Sequence, residues 1–309
     1  MKEIKLLMNI VQNFILFVLL IVNLEAHENK FVVVIPSYNN HLYVEENISS
    51  VLMQKYENYR VIYIDDSSTD KTYDRLKKYL SSRGVSFDTL LFSEDKCLSH
   101  EENLNSFCNL VNSSSSKIRI IQNEQRAGAL ANIYRACQST QDDEIITMLD
   151  GDDSLRHRNV LKGLNRIYKS NNVWLTHGRL VEIPSGNAEW CIPVPDEVVK
   201  NNQFRSFSRC PTHLKTFYSW LFKKILLKDL IYDSEFFPMT SDMAIMLPML
   251  EMAGERHYFV KNVNYRYNTL NSLNDNKIDP PLQRFFDAYV RNIAPYERLS
   301  EDQIPEFMR

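Results

Sequence analysis

Only seven of the 309 residues are glycine. A chain so poor in glycine has no Gly-rich loop to wrap a phosphate. The turn after its first apolar run reads Pro36-Ser37-Tyr38-Asn39, without Gly or Lys. A basic excess is missing as well. Lys and Arg number 36 against 39 Asp and Glu, for a net charge of −3, so nucleic acid drops out as a partner. No Cys-x-x-Cys pair occurs among Cys97, Cys108, Cys137, Cys191 and Cys210, which argues against a structural zinc. Their odd number excludes complete intrachain pairing. We read them as reduced or buried thiols, with one or two disulfides open to an exported chain. Past residue 24 there is no further membrane segment, and no internal repeat occurs.

What is present begins at the N-terminus. Lys2 and Lys5 precede an apolar run from Phe14 to Val22, and Leu24-Glu25-Ala26 offers a weak cleavage site. Residues 1–26 therefore read as a signal peptide or signal anchor, which gives membrane association or entry into the secretory pathway. The chain is cytoplasmic if that segment is not used. On the exported side, Asn47-Ile48-Ser49 and Asn112-Ser113-Ser114 become glycosylation acceptors.

The length fits a core of about 200 to 250 residues with a C-terminal elaboration. Apolar runs at 31–35, 60–64, 118–121 and 145–149 read as buried strands, and 173–176 as another. Helical spacing appears at Val44, Ile48, Val51 and Leu52, and again at Tyr73, Leu76 and Leu80, where Ser68 or Thr69 can cap. An Ala-rich helix covers 127–139, and Leu161, Leu164, Ile167 and Tyr168 mark a further one. Within 84–117, residues 85–92 read as a strand or part of one, and the polar stretch 97–116 looks like an insertion carrying a short helix. Residues 216–227 read as an aromatic-rich helix, 241–253 as an apolar helix opened by Ser241-Asp242, and 258–267 as a closing strand or hairpin. Alternating strands and helices predict an α/β chain with a mostly parallel sheet and helices on both faces. We divide it into the targeting segment 1–26, a first half 27–183 and a second half 184–309.

The chemistry gathers where strands end. The apolar run 145–149 is capped by Asp150-Gly151-Asp152-Asp153. Buried strands of open α/β sheets present ligands at their carboxyl ends. Carboxylates clustered there form a hard-oxygen site suited to Mg²⁺ or Mn²⁺, ions commonly shared with substrate phosphates. Taken alone, Asp-Gly-Asp is a turn. Two more strand ends, Pro36-Ser37-Tyr38-Asn39 and Asp65-Asp66-Ser67-Ser68, could face the same cleft. A strand-to-helix turn carrying the cation Arg126 lies between them and the acidic cluster.

In order and spacing these segments resemble the family 2 glycosyltransferases of the GT-A (Rossmann-like) fold, over residues 31–270. The most specific pieces are 34–39, 64–70 and 149–153, and 123–136 resembles the family's phosphate-supporting helix. The resemblance implies a nucleotide-sugar donor (usually a UDP-sugar), a divalent metal, Mn²⁺ or Mg²⁺, and inversion at the anomeric carbon. It places Pro36, Ser37 and Tyr38 in the nucleoside pocket. Asp66 accepts from the uracil, with Asp65 the alternative, and Arg126 faces the uracil or the diphosphate. Asp152 becomes the metal ligand, and Asp150 touches the ribose, the metal or its water. Asp153 assists or caps the next helix.

The family's general base, a carboxylate at the start of a later helix, falls on Asp242, where an N-cap is the structural alternative. Ser241 stands where family members often have an acidic residue. The late histidine of many GT-A enzymes is absent from 265–272, which leaves Asn268 a weaker role. His177 and His213 read as structural or acceptor-side residues. Trp174, Trp190 and Trp220 read as a sugar-stacking platform or as core.

The expected activity is non-processive, metal-dependent transfer to a glycan, lipid or protein acceptor shaped by 184–240. A processive synthase is disfavoured because no Gln-x-x-Arg-Trp motif and no C-terminal membrane helices occur. A nucleotidyltransferase is disfavoured by the missing basic Gly-rich loop. A non-catalytic sugar-binding module is disfavoured by the intact aspartates.

Overall fold

The computed structural model describes residues 28–309 apart from Asn171, Glu189, Trp190 and Cys210, and apart from the side chain of Asn276. The expected targeting segment 1–26 therefore lies outside the described residues, as does Trp190. Among the described residues no helix is long and apolar enough to cross a membrane. Cys97, Cys108, Cys137 and Cys191 are free.

In chain order the first half contains β1 (Phe31–Ser37), α1 (Val44–Leu52), β2 (Tyr59–Asp65), α2 (Thr72–Ser82), β3 (Asp88–Phe92), α3 (His100–Asn112), β4 (Ile118–Asn123), α4 (Ala129–Gln138) and β5 (Ile145–Met148). Then come β6 (Ser154–Leu155), α5 (Val160–Ser170), β7 (Leu175–Ile183), α6 (Asp196–Lys200), β8 (Thr216–Tyr218) and α7 (Ser219–Phe222). The chain continues through β9 (Ile231–Tyr232), β10 (Glu235–Phe236), α8 (Ser241–Ala253), β11 (His257–Asn268), α9 (Asp275–Ile278) and α10 (Pro280–Asn292).

One sheet runs in the order β3-β4-β2-β1-β5-β8-β7-β11-β6. The five strands from β3 to β5 are parallel. β8 is antiparallel to both β5 and β7, while β11 is parallel to β7 and antiparallel to β6. This is the α/β, mostly parallel architecture read from the alternation. Every residue of β1 is buried, which is why the strand is continuously apolar rather than alternating. Its register sets Ser37 opposite Asp65 and Val34 opposite Met148. The carboxyl ends of β2, β1 and β5 therefore leave the sheet along one edge.

Several local expectations change. Residues 216–227 are not a helix. Thr216, Phe217 and Tyr218 form β8, and a single helical turn follows. Short apolar runs fit either period. Here β-forming residues insert between β5 and β7, where the Thr216 hydroxyl meets those of Thr176 (2.6 Å) and Tyr168 (2.8 Å). Residues 84–117 are no insertion, because β3 is the sheet's edge strand and α3 connects it to β4. α3 has a capping box in which Ser99 and Glu102 bond reciprocally. Neither Ser68 nor Thr69 caps α2; the Asp70 carboxylate accepts from the Thr72 N–H at 3.0 Å. α10, unforeseen, buries Phe286 and Val290.

Glu144, fully buried just before β5, is held by Lys30 (2.9 Å) and Arg60 (2.7 Å). Burial alone would raise its pKa. The bonds from Arg60, Lys30 and the Gln141 N–H outweigh burial and bring it down to about 2. A depressed carboxyl stabilises the fold above its unfolded value and loses that contribution as pH falls through the folded one. The window here lies between about pH 4.5 and about pH 2, and the shift corresponds to on the order of 3 kcal/mol. Glu144→Gln should therefore cost about 3 kcal/mol at pH 7 and far less near pH 2. Urea midpoints at both pH values check this; an equal loss at the two would remove the pair from the acid response.

Candidate functional site

The turn after β5 is shaped by a close approach. The Gly151 N–H donates to the Pro36 carbonyl at 3.2 Å. A Cβ on Gly151 would sit 2.5 Å from Ser37 Oγ and 2.6 Å from Asn40 Nδ2, so only glycine fits between Asp150 and Asp152. From α1, Asn47 donates to the carbonyls of Asp150 (2.8 Å) and Asp153 (2.9 Å). Asn47 is fully buried, so the tripeptide at 47–49 is not an accessible glycosylation acceptor in the folded protein. Asn112 is exposed at the end of α3.

A cleft of about 1100 Å³ opens along this edge of the sheet. It brings together Pro36, Ser37, Tyr38, Asp66, Arg126, Asp150, Asp152 and Asp242, the expected residues with one exception. Asp65 is the exception. It is fully buried outside the lining, with Oδ2 accepting from the Ser68 N–H at 3.2 Å. The alternation of a strand points neighbouring residues to opposite sides, so Asp65 and Asp66 cannot both face the cleft.

Each lining residue has a definite support. Ser37 Oγ accepts from Tyr63 (2.8 Å) and Asn40 (3.0 Å). The Arg126 guanidinium lies over the Tyr38 ring, 4.0 Å from its centroid. Asp66 accepts from Asn123 (2.8 Å) and from the N–H groups of Ala127 and Gly128 (both 2.9 Å). It thereby folds the turn that leads into α4. An ionised carboxylate has about four lone-pair sites, so one remains for a ligand donor.

Asp150 and Asp152 of the acidic turn pair with no Lys or Arg among the described residues. Asp150 exchanges bonds with Tyr265, whose hydroxyl lies 3.2 Å from the Asp150 N–H and 3.3 Å from its carboxylate. Asp152 accepts from Asn271 at 2.8 Å. Burial, aided by the charge of Asp150, pushes Asp152 up to about 6 against the lowering bond from Asn271. Two carboxylates held close without a cation fit a divalent ion whose other ligands are oxygens from substrate and water. No group of three or more His, Cys, Asp or Glu able to hold a metal occurs among the described residues.

Asp153 takes neither expected part. It is buried, and Oδ1 accepts from the Asn268 N–H at 2.6 Å, pinning the end of β11 to the turn. Asn268 serves that pinning, and Asn271, three residues on, is the one that reaches Asp152.

Across His213 from Asp150, Asp242 stands in the first turn of α8 but is not its cap, which is Thr240. Its Oδ2 lies 2.5 Å from Lys215 Nζ and 3.4 Å from His213 Nε2. Burial opposes ionisation, yet the Lys215 ammonium and then His213 outweigh it. They hold the Asp242 carboxyl well below the usual range. His213 stacks on Tyr265 with centroids 4.6 Å apart. His177 is buried outside the cleft. Trp174 and Trp220 pack edge-to-face at 4.9 Å in the core and form no sugar platform. Lys215, Asn271 and Asp275 were not singled out from the sequence. A lysine at the head of an aromatic run, and an asparagine in a polar loop, carry no local signal.

Residues 32–89 match the family model described as Glycosyl transferase family 2. A Bacillus subtilis (strain 168) protein provisionally named as a teichuronic acid biosynthesis glycosyltransferase is 45% identical over 47 residues. That stretch is 15% of this chain and 19% of the relative, so the chain spans less than a fifth of its length in this match. Among solved structures, S. aureus TarS 1–349 in complex with UDP-GlcNAc aligns with a TM-score of 0.52 at 15% identity, over 78% of this chain and 59% of that one. Glucosyl-3-phosphoglycerate synthase from Mycobacterium tuberculosis, in complex with Mn²⁺, UDP and glucosyl-3-phosphoglycerate, aligns with a TM-score of 0.51 at 12% identity, over 87% and 81%. The shared architecture is the GT-A fold. The chain is thus similar to glycosyl transferase family 2 over residues 32–89, and shares the fold of these glycosyltransferases over most of its length.

Gly151→Ala should cost about 1–3 kcal/mol through overpacking against Ser37 and Asn40. Thermal melting checks this; a wild-type melting temperature would show that the turn relaxes at no cost.

Proposed function

We propose that the protein is an inverting, non-processive glycosyltransferase that moves a sugar from a UDP-sugar to an acceptor hydroxyl with a divalent metal, Mn²⁺ or Mg²⁺. The observation that carries this reading is the joint placement of two cation-free carboxylates, Asp150 and Asp152, with Asp242 in one cleft at the carboxyl edge of the parallel strands. Both solved relatives named above are described with uridine nucleotides bound, and one of them with Mn²⁺. We keep the division at residue 184: residues 27–183 hold the donor and 184–309 shape the acceptor site.

Tyr38 and Arg126 bound the nucleoside end, and Asp66 presents its remaining lone pair there. Asp150 and Asp152 would hold the metal, which when bound neutralises charge on the departing diphosphate. Asp242, ionised at neutral pH, takes the proton of the acceptor hydroxyl. The hydroxyl oxygen bonds to the anomeric carbon, the bond from that carbon to the diphosphate oxygen breaks, and the electron pair leaves with the nucleoside diphosphate. Attack opposite the leaving group inverts the centre. The acceptor is a glycan, lipid or protein hydroxyl, and membrane association through 1–26 stays part of the proposal.

Calorimetry of UDP with the full chain, with Mn²⁺ and then with EDTA, tests the reading. Metal-dependent binding is expected; a folded sample that binds no UDP under either condition overturns it in favour of a non-catalytic module or another nucleotide. Asp152→Asn should abolish the metal dependence of UDP binding and leave the melting temperature near wild type. Asp242→Asn should bind UDP with Mn²⁺ as wild type does and lose about 10²-fold or more in turnover of UDP-sugar. Loss of UDP affinity in that variant would contradict the separation of roles.

A further inference from the structure

We propose that Lys215, buried beneath the acceptor end of the cleft, is a positioning residue for the reaction: its ammonium holds one oxygen of Asp242 and leaves the other to take the acceptor's proton. The inference rests on the glycosyltransferase reading above.

Lys215 is 1% exposed, among the largest fully buried side chains of the protein. It directly precedes β8, and its carbonyl accepts from the Met148 N–H at 3.0 Å. The lysine is thus fixed to β5, the strand that carries Asp150. Burying an ammonium is costly unless it is paired and hydrogen-bonded. Here Nζ is 2.5 Å from Asp242 Oδ2 and 2.8 Å from His213 Nε2. The other ring nitrogen, His213 Nδ1, is buried without a partner. Asp242 keeps 41% of its side chain exposed to the cleft. Its Oδ1 has no partner among the described residues, so a single oxygen faces the acceptor.

A lysine serving only to tie α8 to β8 would be a poor choice. A pair of apolar side chains of the same volume often packs as stably as a buried ion pair. The other charged and titratable groups around Asp242 are His213, Asp275 from α9 and Tyr267 from β11, with Asp150 across His213. Arg284 and Asp287 of α10 line the same cleft. Three of these groups are carboxylates. Without Lys215, burial and their charge both act to raise the proton affinity of Asp242, so the acidic limb of activity moves to higher pH.

Wild type, Lys215→Met and Lys215→Arg are compared as full chains. The readouts are UDP calorimetry with Mn²⁺, the pH profile of slow hydrolysis of UDP-glucose, UDP-galactose and UDP-GlcNAc, and ¹³C titration of the Asp242 carboxyl. All three proteins should fold, the Met variant with a lowered melting temperature because Asp242 loses its cation, and all should bind UDP within about twofold. Lys215→Met should lose about 10²-fold in turnover. Its acidic limb and its Asp242 titration should both rise by about one pH unit or more. Lys215→Arg should keep the wild-type limb, and Lys215→Gln replaces the Met variant if that one does not fold. A folded Met variant whose limb and Asp242 titration stay at the wild-type pH, with or without lost turnover, overturns the proposal. Failure of the wild type to bind UDP overturns the glycosyltransferase reading instead, and the carboxyl titration still decides the link between Lys215 and Asp242.

Discussion

The parallel register of β2, β1 and β5 is the constraint on which the rest depends. Because Ser37 lies opposite Asp65 and Val34 opposite Met148, three chain exits fall on one edge, and the turn after β5 must pass against the turn after β1. A one-residue slip in a strand buried on both faces would exchange every side chain between the two helix layers. It would also carry Asp66 and Asp150 away from each other. The absence of a side chain at Gly151 follows from that register and is not a separate feature.

Along this edge the same residue type is set to two opposite electrostatic states. Asp152, buried beside another carboxylate and supported only by an amide, is pushed up to about 6. Asp242, partly exposed to the cleft beside an ammonium, is held far down. Environments that drive like groups apart are how one cleft assigns them different work. One carboxylate is made costly to ionise, and the other is kept charged by its lysine. The tyrosines on β11 share in this arrangement, since Tyr265 bonds to Asp150 and stacks on His213.

The fold class was legible because the central parallel strands β1, β2 and β5 are buried on both faces and read as nearly unbroken apolar runs. The strand-end motifs were legible because their residues are adjacent in sequence. The helix Ser241–Ala253 was read to the residue from its apolar content. What could not be read is set by distant pairings. Whether 216–218 is helix or strand depends on a gap between β5 and β7 that the segment's own period does not reveal. Lys215 has meaning only through Asp242, 27 positions on, and Asn271 only through Asp152. Asp65 and Asp66 look alike in sequence, and the strand's alternation alone separates them. Trp174 and Trp220, for which a sugar platform and the core were both open, are core, where large rings usually go.

Asn47 illustrates how a surface signal can be consumed by a fold. Its amide spans two carbonyls of the acidic turn, so the same nitrogen that would carry a glycan is already spent on shaping the cleft. A chain modified there could not close this turn, and a chain that has closed it offers no substrate to the modifying enzyme. Glycan on Asn47 and a formed cleft are therefore mutually exclusive.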